Sequence, residues 1–275
     1  MRKSILDLMS RKGGAPVSML TAYDYHTARI IDEAGVDMVL VGDSLGNVML
    51  GYENTLAVTV EDMIHHGRAV CRGVSEAFVV VDMPFMSYQA SVEDAVRNAG
   101  RIMKETNCQA VKLEGGRVYA DRIRAIVNAG IPVVGHVGLT PQSVNAMGGY
   151  KVQGRSVEDA ERIMDDAKAV EEAGAFAITL ECVPEELARM ITEQSQALTI
   201  GIGAGNACDG QVLVYQDMIG YTNGFVPKFV KKYADVYSVM LEAFRQYKQD
   251  CEQRTFPETS LSYQLSDEVL KEIQN

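Results

Sequence analysis

The sequence predicts an α/β fold, specifically a (β/α)8 barrel of the TIM type, and three observations support this prediction. Short apolar runs bounded by turn residues alternate with helical patterns along the chain, which is typical of βα units built on a parallel sheet. Three of these runs follow a helix end and a glycine and stop at a polar residue. About eight such runs fit within 275 residues, the length that a closed barrel needs. A doubly wound open sheet is the alternative.

The predicted strands are continuous runs rich in valine, leucine and isoleucine, which indicates burial on both faces. Gly35, Gly130 and Gly174 each fit the left-handed position that ends a helix before such a run. The strands after these glycines are predicted at residues 38–43, 132–136 and 176–181. Those without a leading glycine are predicted at residues 15–21, 77–82, 109–114, 198–203 and 211–215.

Helix starts are predicted at Thr59, Ser91 and Ser156, because each hydroxyl precedes the residues Val-Glu-Asp. An N-cap hydroxyl followed by acids in the first turn stabilises a helix start. Residues 44–59 and 137–155 form connections too long for ordinary βα turns. Both follow strands, so we expect them on the C-terminal face of the barrel as candidate lids or ligand walls.

We expect one barrel domain over residues 1–275, with a helical segment around residues 234–249 and a polar tail from about residue 252 to 275. The tail is expected either to fray or to pack on a neighbouring subunit. In such barrels the catalytic residues generally lie at the carboxyl ends of the strands.

Composition excludes several classes of function. The formal net charge of −11 makes nucleic acid an unfavourable partner. No run of about 18 apolar residues is present, so no membrane span is expected. The N-terminus has no signal-peptide pattern, and the five cysteines form no C-x-x-C pair. We therefore expect a cytoplasmic protein without structural zinc or disulfides; Cys182 is interpreted as a small packing side chain, not a nucleophile.

Four acids end predicted strands, namely Asp43, Asp82, Glu114 and Glu181. Barrel closure would gather them in one cup, where carboxylates repel unless a cation lies between them. Oxygen ligands favour a hard divalent ion, Mg²⁺ first and Mn²⁺ next. The alternative is that such acids only cap the helices that follow the strands.

Mg²⁺ held by Asp43 and Asp82 with water could chelate a 2-oxo acid and stabilise the enolate formed when an adjacent C–H is deprotonated. Glu181 is the predicted base for that proton. Lys112 would neutralise the substrate carboxylate or the enolate oxygen; a Schiff base on Lys112 is the alternative. These residues predict aldol-type, lyase or mutase chemistry.

Eight sequence blocks form a specific pattern along the chain. The blocks are TAYD (21–24), GDSLG (42–46), DMPFM (82–86), VKLEG (111–115), GHVGLTPQS (135–143), GGYKVQGR (148–155), LECVP (180–184) and GIGAG (201–205). Together they resemble the ketopantoate hydroxymethyltransferase family, and the resemblance extends from about residue 21 to residue 220. The long blocks are specific, since GHVGLTPQS and GGYKVQGR occur close together. Ala57 departs from the family, which more often has proline there.

The resemblance implies a barrel related to phosphoenolpyruvate mutase and isocitrate lyase. It implies hydroxymethyl transfer from 5,10-methylenetetrahydrofolate to 3-methyl-2-oxobutanoate through a Mg²⁺-stabilised enolate, in pantothenate biosynthesis. It also implies a homodecamer. The residue roles that it implies are Asp43 and Asp82 as metal ligands that also contact substrate, Glu114 on or near the metal, Ser44, Lys112 and His136 as substrate contacts, and Glu181 as the proton acceptor.

Two other functions remain open at this point. A Mg²⁺-dependent C–C lyase or mutase acting on a 2-oxo or 2-hydroxy acid would use the same residues without folate. A catalytically silent barrel serving as an oligomeric scaffold is the other alternative, although all the proposed acids and Lys112 are present.

Overall fold

The computed structural model describes residues 1–274 and contains a closed, all-parallel barrel of eight strands in sequence order. The last strand pairs with the first, Gly210 lying opposite Val17. The predicted fold class is therefore confirmed, and the open sheet is excluded. The strands are β1 Val17–Thr21, β2 Met38–Val41, β3 Phe78–Asp82, β4 Ala110–Glu114, β5 Val133–Gly138, β6 Ala177–Glu181, β7 Leu198–Ile202 and β8 Gly210–Leu213.

Helices connect the strands and cover the outside of the barrel. In chain order they are α1 Ile5–Met9, α2 Tyr25–Glu33, α3 Leu45–Val48, α4 Val60–Gly73, α5 Val92–Thr106, α6 Ala120–Asn128, α7 Val144–Met147, α8 Val157–Glu172, α9 Glu185–Gln194, α10 Tyr215–Met218, α11 Val236–Gln253 and α12 Asp267–Gln274. Short 3-10 helices lie at Arg117–Tyr119, Pro141–Ser143 and Thr259–Leu261. Within residues 1–274, no helix combines the length and apolar character that a membrane crossing requires.

The structure confirms the predicted helix starts and the predicted glycine positions at helix ends. Thr59, Ser91 and Ser156 are the N-caps of α4, α5 and α8, and each hydroxyl accepts a hydrogen bond from a backbone N–H three residues later. Gly35, which follows α2, has a φ of +78°, a conformation that costs glycine little and other residues more. Gly130 and Gly174 have positive φ for the same reason.

Two apolar layers hold the barrel, and period-two alternation along the strands assigns side chains to them. Val39 and Val79 point outward and pack among the helices, whereas Met38 and Phe78 point inward to the barrel interior. Leu8 of α1 is 1% exposed and belongs to the interior cluster, so α1 closes the N-terminal end of the barrel. The C-terminal end is left for polar side chains.

Both long connections contain short helices, α3 in the first and α7 in the second. The C-terminal segment differs from its prediction, because α11 extends to Gln253 and the expected polar tail contains α12. Neither helix buries a residue in the described chain. Their exposed large side chains include Tyr237, Phe244 and Ile273.

Candidate active site

The predicted site residues lie at or near the carboxyl ends of neighbouring strands. Asp82, Glu114 and Glu181 are the last residues of β3, β4 and β6, as predicted. Asp43 differs, because β2 ends at Val41 and this aspartate belongs to the turn that follows. The parallel barrel places all four acids at the same end.

Alternation along the strands explains why these polar side chains point into the barrel. Val80 lines the interior, so Asp82 two residues later faces the same way. Ala110 lines the interior of β4, and Lys112 and Glu114 continue that face. The predicted shared orientation of Lys112 and Glu114 is therefore confirmed, and both are at least nine-tenths buried.

His136 lies within β5 and not at its end, because the strand continues to Gly138. The extension comes from pairing of Gly138 with Glu181 on β6. The predicted strand end at His136 is therefore wrong. His136 still lies opposite Glu114 in the register of β4 and β5, which keeps its imidazole among the acids.

Lys112 and Asp82 form a buried ion pair across neighbouring strands. Lys112 Nζ lies 2.7 Å from Asp82 Oδ1, and the two residues are directly opposite in the β3–β4 register. Burial by itself lowers the pKa of Lys112, but the charge of Asp82, followed by those of the other acids, outweighs it and raises the pKa. The amine is therefore held as an ammonium, which disfavours the Schiff-base alternative.

Asp43 is buried beside this ion pair. Its backbone N–H donates to Asp82 Oδ2 at 3.1 Å, and its Oδ2 accepts from Gln142 Nε2 at 2.8 Å. Burial, and then the charge of Asp82, raise the pKa of Asp43 to about 7. Lys112 and Gln142 oppose this rise. The carboxyl group is thus poised to change its charge when a cation arrives or leaves.

Glu114 is held from two directions. Its Oε2 accepts the backbone N–H of Gln142 at 2.9 Å, while its Oε1 lies 3.6 Å from His136 Nδ1. Burial, and then the charge of Asp43, raise the pKa of Glu114 well above its usual range. Glu114 is therefore a second buried acid of the cup that resists ionisation.

His136 lies between two acids. Its Nε2 is 3.0 Å from Glu181 Oε2, on the side opposite Glu114. Among the described residues, neither ring nitrogen has a partner aligned for a hydrogen bond. The Glu181 side chain keeps 16% exposure, the largest of the four acids'. Glu181 is thus the acid most open to an incoming molecule.

Ser44 is fixed by a buried tyrosine. Its Oγ lies 2.8 Å from Tyr23 Oη, and Tyr23 is 1% exposed. Gly42 has no room for a side chain, since a Cβ there would come 2.8 Å from Ser44 Oγ. Glycine at position 42 therefore leaves room for the Ser44 hydroxyl in the GDSLG turn. Full burial of Tyr23 excludes it as a stacking surface for a ligand.

Cys182, which follows Glu181, is partly buried and has a φ of +48°. Burial, and then the charge of Glu181, raise the pKa of its thiol to about 11. A thiol that stays protonated is a weak nucleophile. This agrees with the interpretation of Cys182 as a packing side chain.

A divalent cation fits the donor chemistry of this cup, but not as a ready-made cage. Within residues 1–274, no three Asp, Glu, His or Cys side chains converge as metal ligands. Asp82 Oδ1 is buried and, apart from the ion pair with Lys112, lacks an aligned donor in the described chain. Mg²⁺ commonly uses one or two carboxylates and fills its remaining positions with water and substrate. Asp43 and Asp82 suit that pattern, and Glu114 suits a contact through water.

Sequence reasoning missed three residues of the site: Gln142, Tyr88 and Tyr23 in its role beside Ser44. Tyr88 Oη accepts the backbone N–H of Glu114 at 3.1 Å and donates to Gln142 Oε1 at 2.8 Å. Tyr88 and Gln142 lie in connections, where no periodicity marks a side chain as buried. The signals in the sequence were the position of Gln142 in the GLTPQS block and that of Tyr23 in the TAYD block.

Comparison with known proteins gives consistent results. A family model described as ketopantoate hydroxymethyltransferase matches residues 2–259. A protein of Clostridium novyi named 3-methyl-2-oxobutanoate hydroxymethyltransferase is 57% identical over 264 residues, which is 96% of each chain. A protein of Enterococcus faecalis with the same name is 58% identical over 257 residues, 94% of each chain.

Two solved structures with the same fold are distant from this chain in sequence. Phosphonopyruvate hydrolase in complex with oxalate and Mg²⁺ has a TM-score of 0.63 and 12% identity, covering 100% of this chain and 95% of that one. A 2,3-dimethylmalate lyase, described as a phosphoenolpyruvate mutase/isocitrate lyase superfamily member, has a TM-score of 0.62 and 16% identity, with coverage of 100% and 95%. At such identities the likeness concerns the fold.

Proposed function

Because the chain belongs to the ketopantoate hydroxymethyltransferase family, we propose that it transfers a hydroxymethyl group from 5,10-methylenetetrahydrofolate to 3-methyl-2-oxobutanoate. The product is ketopantoate, and the step belongs to pantothenate biosynthesis. The observation that carries the proposal is one buried cup in which the Lys112–Asp82 ion pair contacts Asp43. Gln142 connects Asp43 to Glu114, and Glu114 lies next to the His136–Glu181 pair.

Asp43 and Asp82 would hold a divalent cation, Mg²⁺ in preference to Mn²⁺, with Glu114 reaching it through water. When bound, the cation would supply positive charge that polarises the carbonyl of the oxo acid and favours loss of its neighbouring proton. The support for this assignment is chemical: oxygen ligands, three buried carboxyl groups (Asp43, Asp82 and Glu114) beside the single Lys112 ammonium, and an Asp82 Oδ1 that has no aligned donor in the described chain apart from its ion pair with Lys112.

Glu181 would accept the proton from C3 of the oxo acid. It is the most exposed acid of the cup, and proposed cation ligation leaves it free for this task. His136 Nε2, 3.0 Å from Glu181 Oε2, would restrict where this carboxylate can lie. The charge that develops on the substrate oxygen would be met by the Lys112 ammonium.

Ser44 would bind the substrate carboxylate through its hydroxyl, which Tyr23 orients from the other side. The carbon nucleophile at C3 would then form a bond to the methylene carbon of the folate. Both carbon–nitrogen bonds of that methylene group break, water supplies the new hydroxyl, and the two folate nitrogens regain their hydrogens. The proton removed from C3 and the two from water account for the hydroxyl and the two N–H groups.

The assembly and the cellular location that we propose for the chain follow from its membership of this family. We assign it one barrel domain with a C-terminal extension, a place in the cytoplasm and a homo-oligomeric state, which the resemblance specifies as a decamer. The exposed apolar side chains of α11 and α12, such as Phe244 and Ile273, support the presence of a subunit neighbour.

The test is a coupled assay for ketopantoate with the oxo acid and methylenetetrahydrofolate, run with Mg²⁺ and with excess chelator. We expect turnover that requires both the folate and the cation. Turnover of a 2-oxo or 2-hydroxy acid without folate would instead identify a lyase or mutase. No reaction with any of these substrates would leave the scaffold alternative.

A further inference from the structure

Gln142 closes a ring of hydrogen bonds around Glu114. The backbone N–H of Glu114 donates to Tyr88 Oη at 3.1 Å, and the Tyr88 hydroxyl donates to Gln142 Oε1 at 2.8 Å. The backbone N–H of Gln142 then donates to Glu114 Oε2 at 2.9 Å. The ring connects β4 to the 3-10 helix that follows β5, so the position of that connection is coupled to the acids.

The side-chain amide of Gln142 is fully used. Its oxygen accepts from Tyr88 Oη and from Gln89 Nε2, the latter at 3.2 Å. Its nitrogen donates to Asp43 Oδ2 at 2.8 Å and to the carbonyl oxygen of Met83 at 3.0 Å. A glutamine amide has two donor hydrogens and two acceptor positions, so no hydrogen-bonding capacity remains. The donors on the oxygen side fix the amide so that its NH₂ group faces the carboxylate.

We propose that Gln142 is a positioning residue that orients Asp43 for the cation. The amide holds Oδ2, which leaves Oδ1 of the same carboxylate as the oxygen for the ion. This inference rests on the proposed function, because the cation that Asp43 would bind is part of that function. Gln142 is neutral and is not one of the four acids, yet in this proposal it sets the orientation of the metal ligand Asp43.

The geometry separates the two duties of Gln142. Its side chain acts on Asp43, whereas its backbone acts on Glu114. A side-chain substitution therefore removes the contacts of the amide, including the one to Asp43, and keeps the backbone contact to Glu114. Groups that hydrogen-bond to metal ligands typically change metal affinity 10- to 100-fold when they are lost.

The experiment measures Mn²⁺ binding to the chelator-treated protein by electron paramagnetic resonance, without substrate. Gln142→Met keeps the length of the side chain but has no donor, and we expect its Mn²⁺ dissociation constant to rise by about 10- to 100-fold. Tyr88→Phe removes the hydroxyl that fixes the amide and should raise the constant by a smaller factor. If Gln142→Met does not fold, Tyr88→Phe carries the test.

Thr199→Val is the matched control. The Thr199 hydroxyl donates to the buried carboxylate of Asp209 at 3.0 Å, at the opposite end of the barrel. This variant also removes a donor from a buried acid, so it should lower stability comparably while leaving Mn²⁺ affinity unchanged. Equal weakening of Mn²⁺ binding by Thr199→Val and Gln142→Met would reduce Gln142 to a structural residue and overturn the proposal.

A second readout separates positioning from damage to the chemistry. Saturating Mn²⁺ should restore hydrogen exchange at C3 of the oxo acid in Gln142→Met. Wild-type affinity for Mn²⁺ in both Gln142→Met and Tyr88→Phe would refute only the role of Gln142. Wild-type protein that binds no Mn²⁺ would refute the cation site itself, and the inference with it.

Discussion

His136 Nε2 lies 3.0 Å from Glu181 Oε2, while Nδ1 of the same ring lies 3.6 Å from Glu114 Oε1. One imidazole thus lies between Glu181, the least buried acid of the cup, and the buried Glu114. A proton that reaches Glu181 from substrate is separated from the buried acids by this ring. The His136 ring therefore separates Glu181, the proposed base, from Glu114, which is proposed to reach the cation through water.

Glu181→Gln is expected to remove the base while preserving shape. We expect the variant to bind 3-methyl-2-oxobutanoate but to lose C3 hydrogen exchange by about 10²- to 10⁴-fold, the usual contribution of a positioned base. Exchange in D₂O is followed by proton NMR. Glu186→Gln, an exposed acid on α9, is the control and should exchange at the wild-type rate. Retained exchange in Glu181→Gln would move the base to another residue.

Lys112→Met is expected to destabilise the protein strongly. Lys112 is 6% exposed, and its loss leaves Asp82 charged and unpaired inside the barrel. Breaking such a pair costs about 3–5 kcal/mol in the free energy of unfolding. Urea unfolding of chelator-treated protein at neutral pH measures this change.

Lys168→Met provides the control, since Lys168 makes only an exposed ion pair with Glu172 at 3.9 Å. That pair should contribute less than about 1 kcal/mol. Similar, small losses in both variants would mean that the buried pair adds nothing to stability.

The stability of the cation-free protein should decrease as pH rises from about 4 to about 7. The pKa of Asp43 is about 7 when folded and 3.8 in the reference state, so the folded protein binds more protons across this interval. Stability falls with pH wherever the native state binds the extra proton, by about 1.4 kcal/mol per unit for one group. Asp43→Asn should reduce this slope, and added Mg²⁺ should reduce it in the wild type. Chemical unfolding at several pH values is the measurement; an unchanged slope in Asp43→Asn would contradict the assignment.

Asp43→Asn and Asp82→Asn should each weaken Mg²⁺-dependent binding of the oxo acid by about 10-fold or more, because each replaces a proposed carboxylate ligand with a neutral amide. Isothermal calorimetry with and without Mg²⁺ measures this. Asp24→Asn is the control, since Asp24 caps α2 and asparagine is an equally good cap. Unchanged Mg²⁺ dependence in both site variants would discard them as ligands.

Much of the fold was predictable because each strand has a local signature. Buried parallel strands are continuous apolar runs, and Gly35 or Thr59 marks a helix terminus through backbone chemistry that acts over a few residues. The acids Asp82, Glu114 and Glu181 followed from the same signal, because they end those runs. Features that depend on contacts between strands were harder to predict from the sequence. For example, β5 continues past His136 only because β6 pairs with its extension.

The contacts of Gln142 illustrate the remaining limit. A glutamine in a connection carries no periodicity, and its importance arises from Tyr88 and Asp43, which are far away in the chain. Tyr23 is similar, since its ring is buried by the fold and its hydroxyl meets Ser44 only after β1 and β2 pair. Such residues become visible when the three-dimensional contacts are known.

The most direct measurement is hydrogen exchange at C3 of 3-methyl-2-oxobutanoate in D₂O, catalysed by the wild-type protein without any folate. We expect exchange that requires Mg²⁺, stops on chelation and returns when the ion is restored. Exchange at the same rate with and without the cation would contradict this expectation, as would the absence of exchange in protein that forms ketopantoate when folate is added.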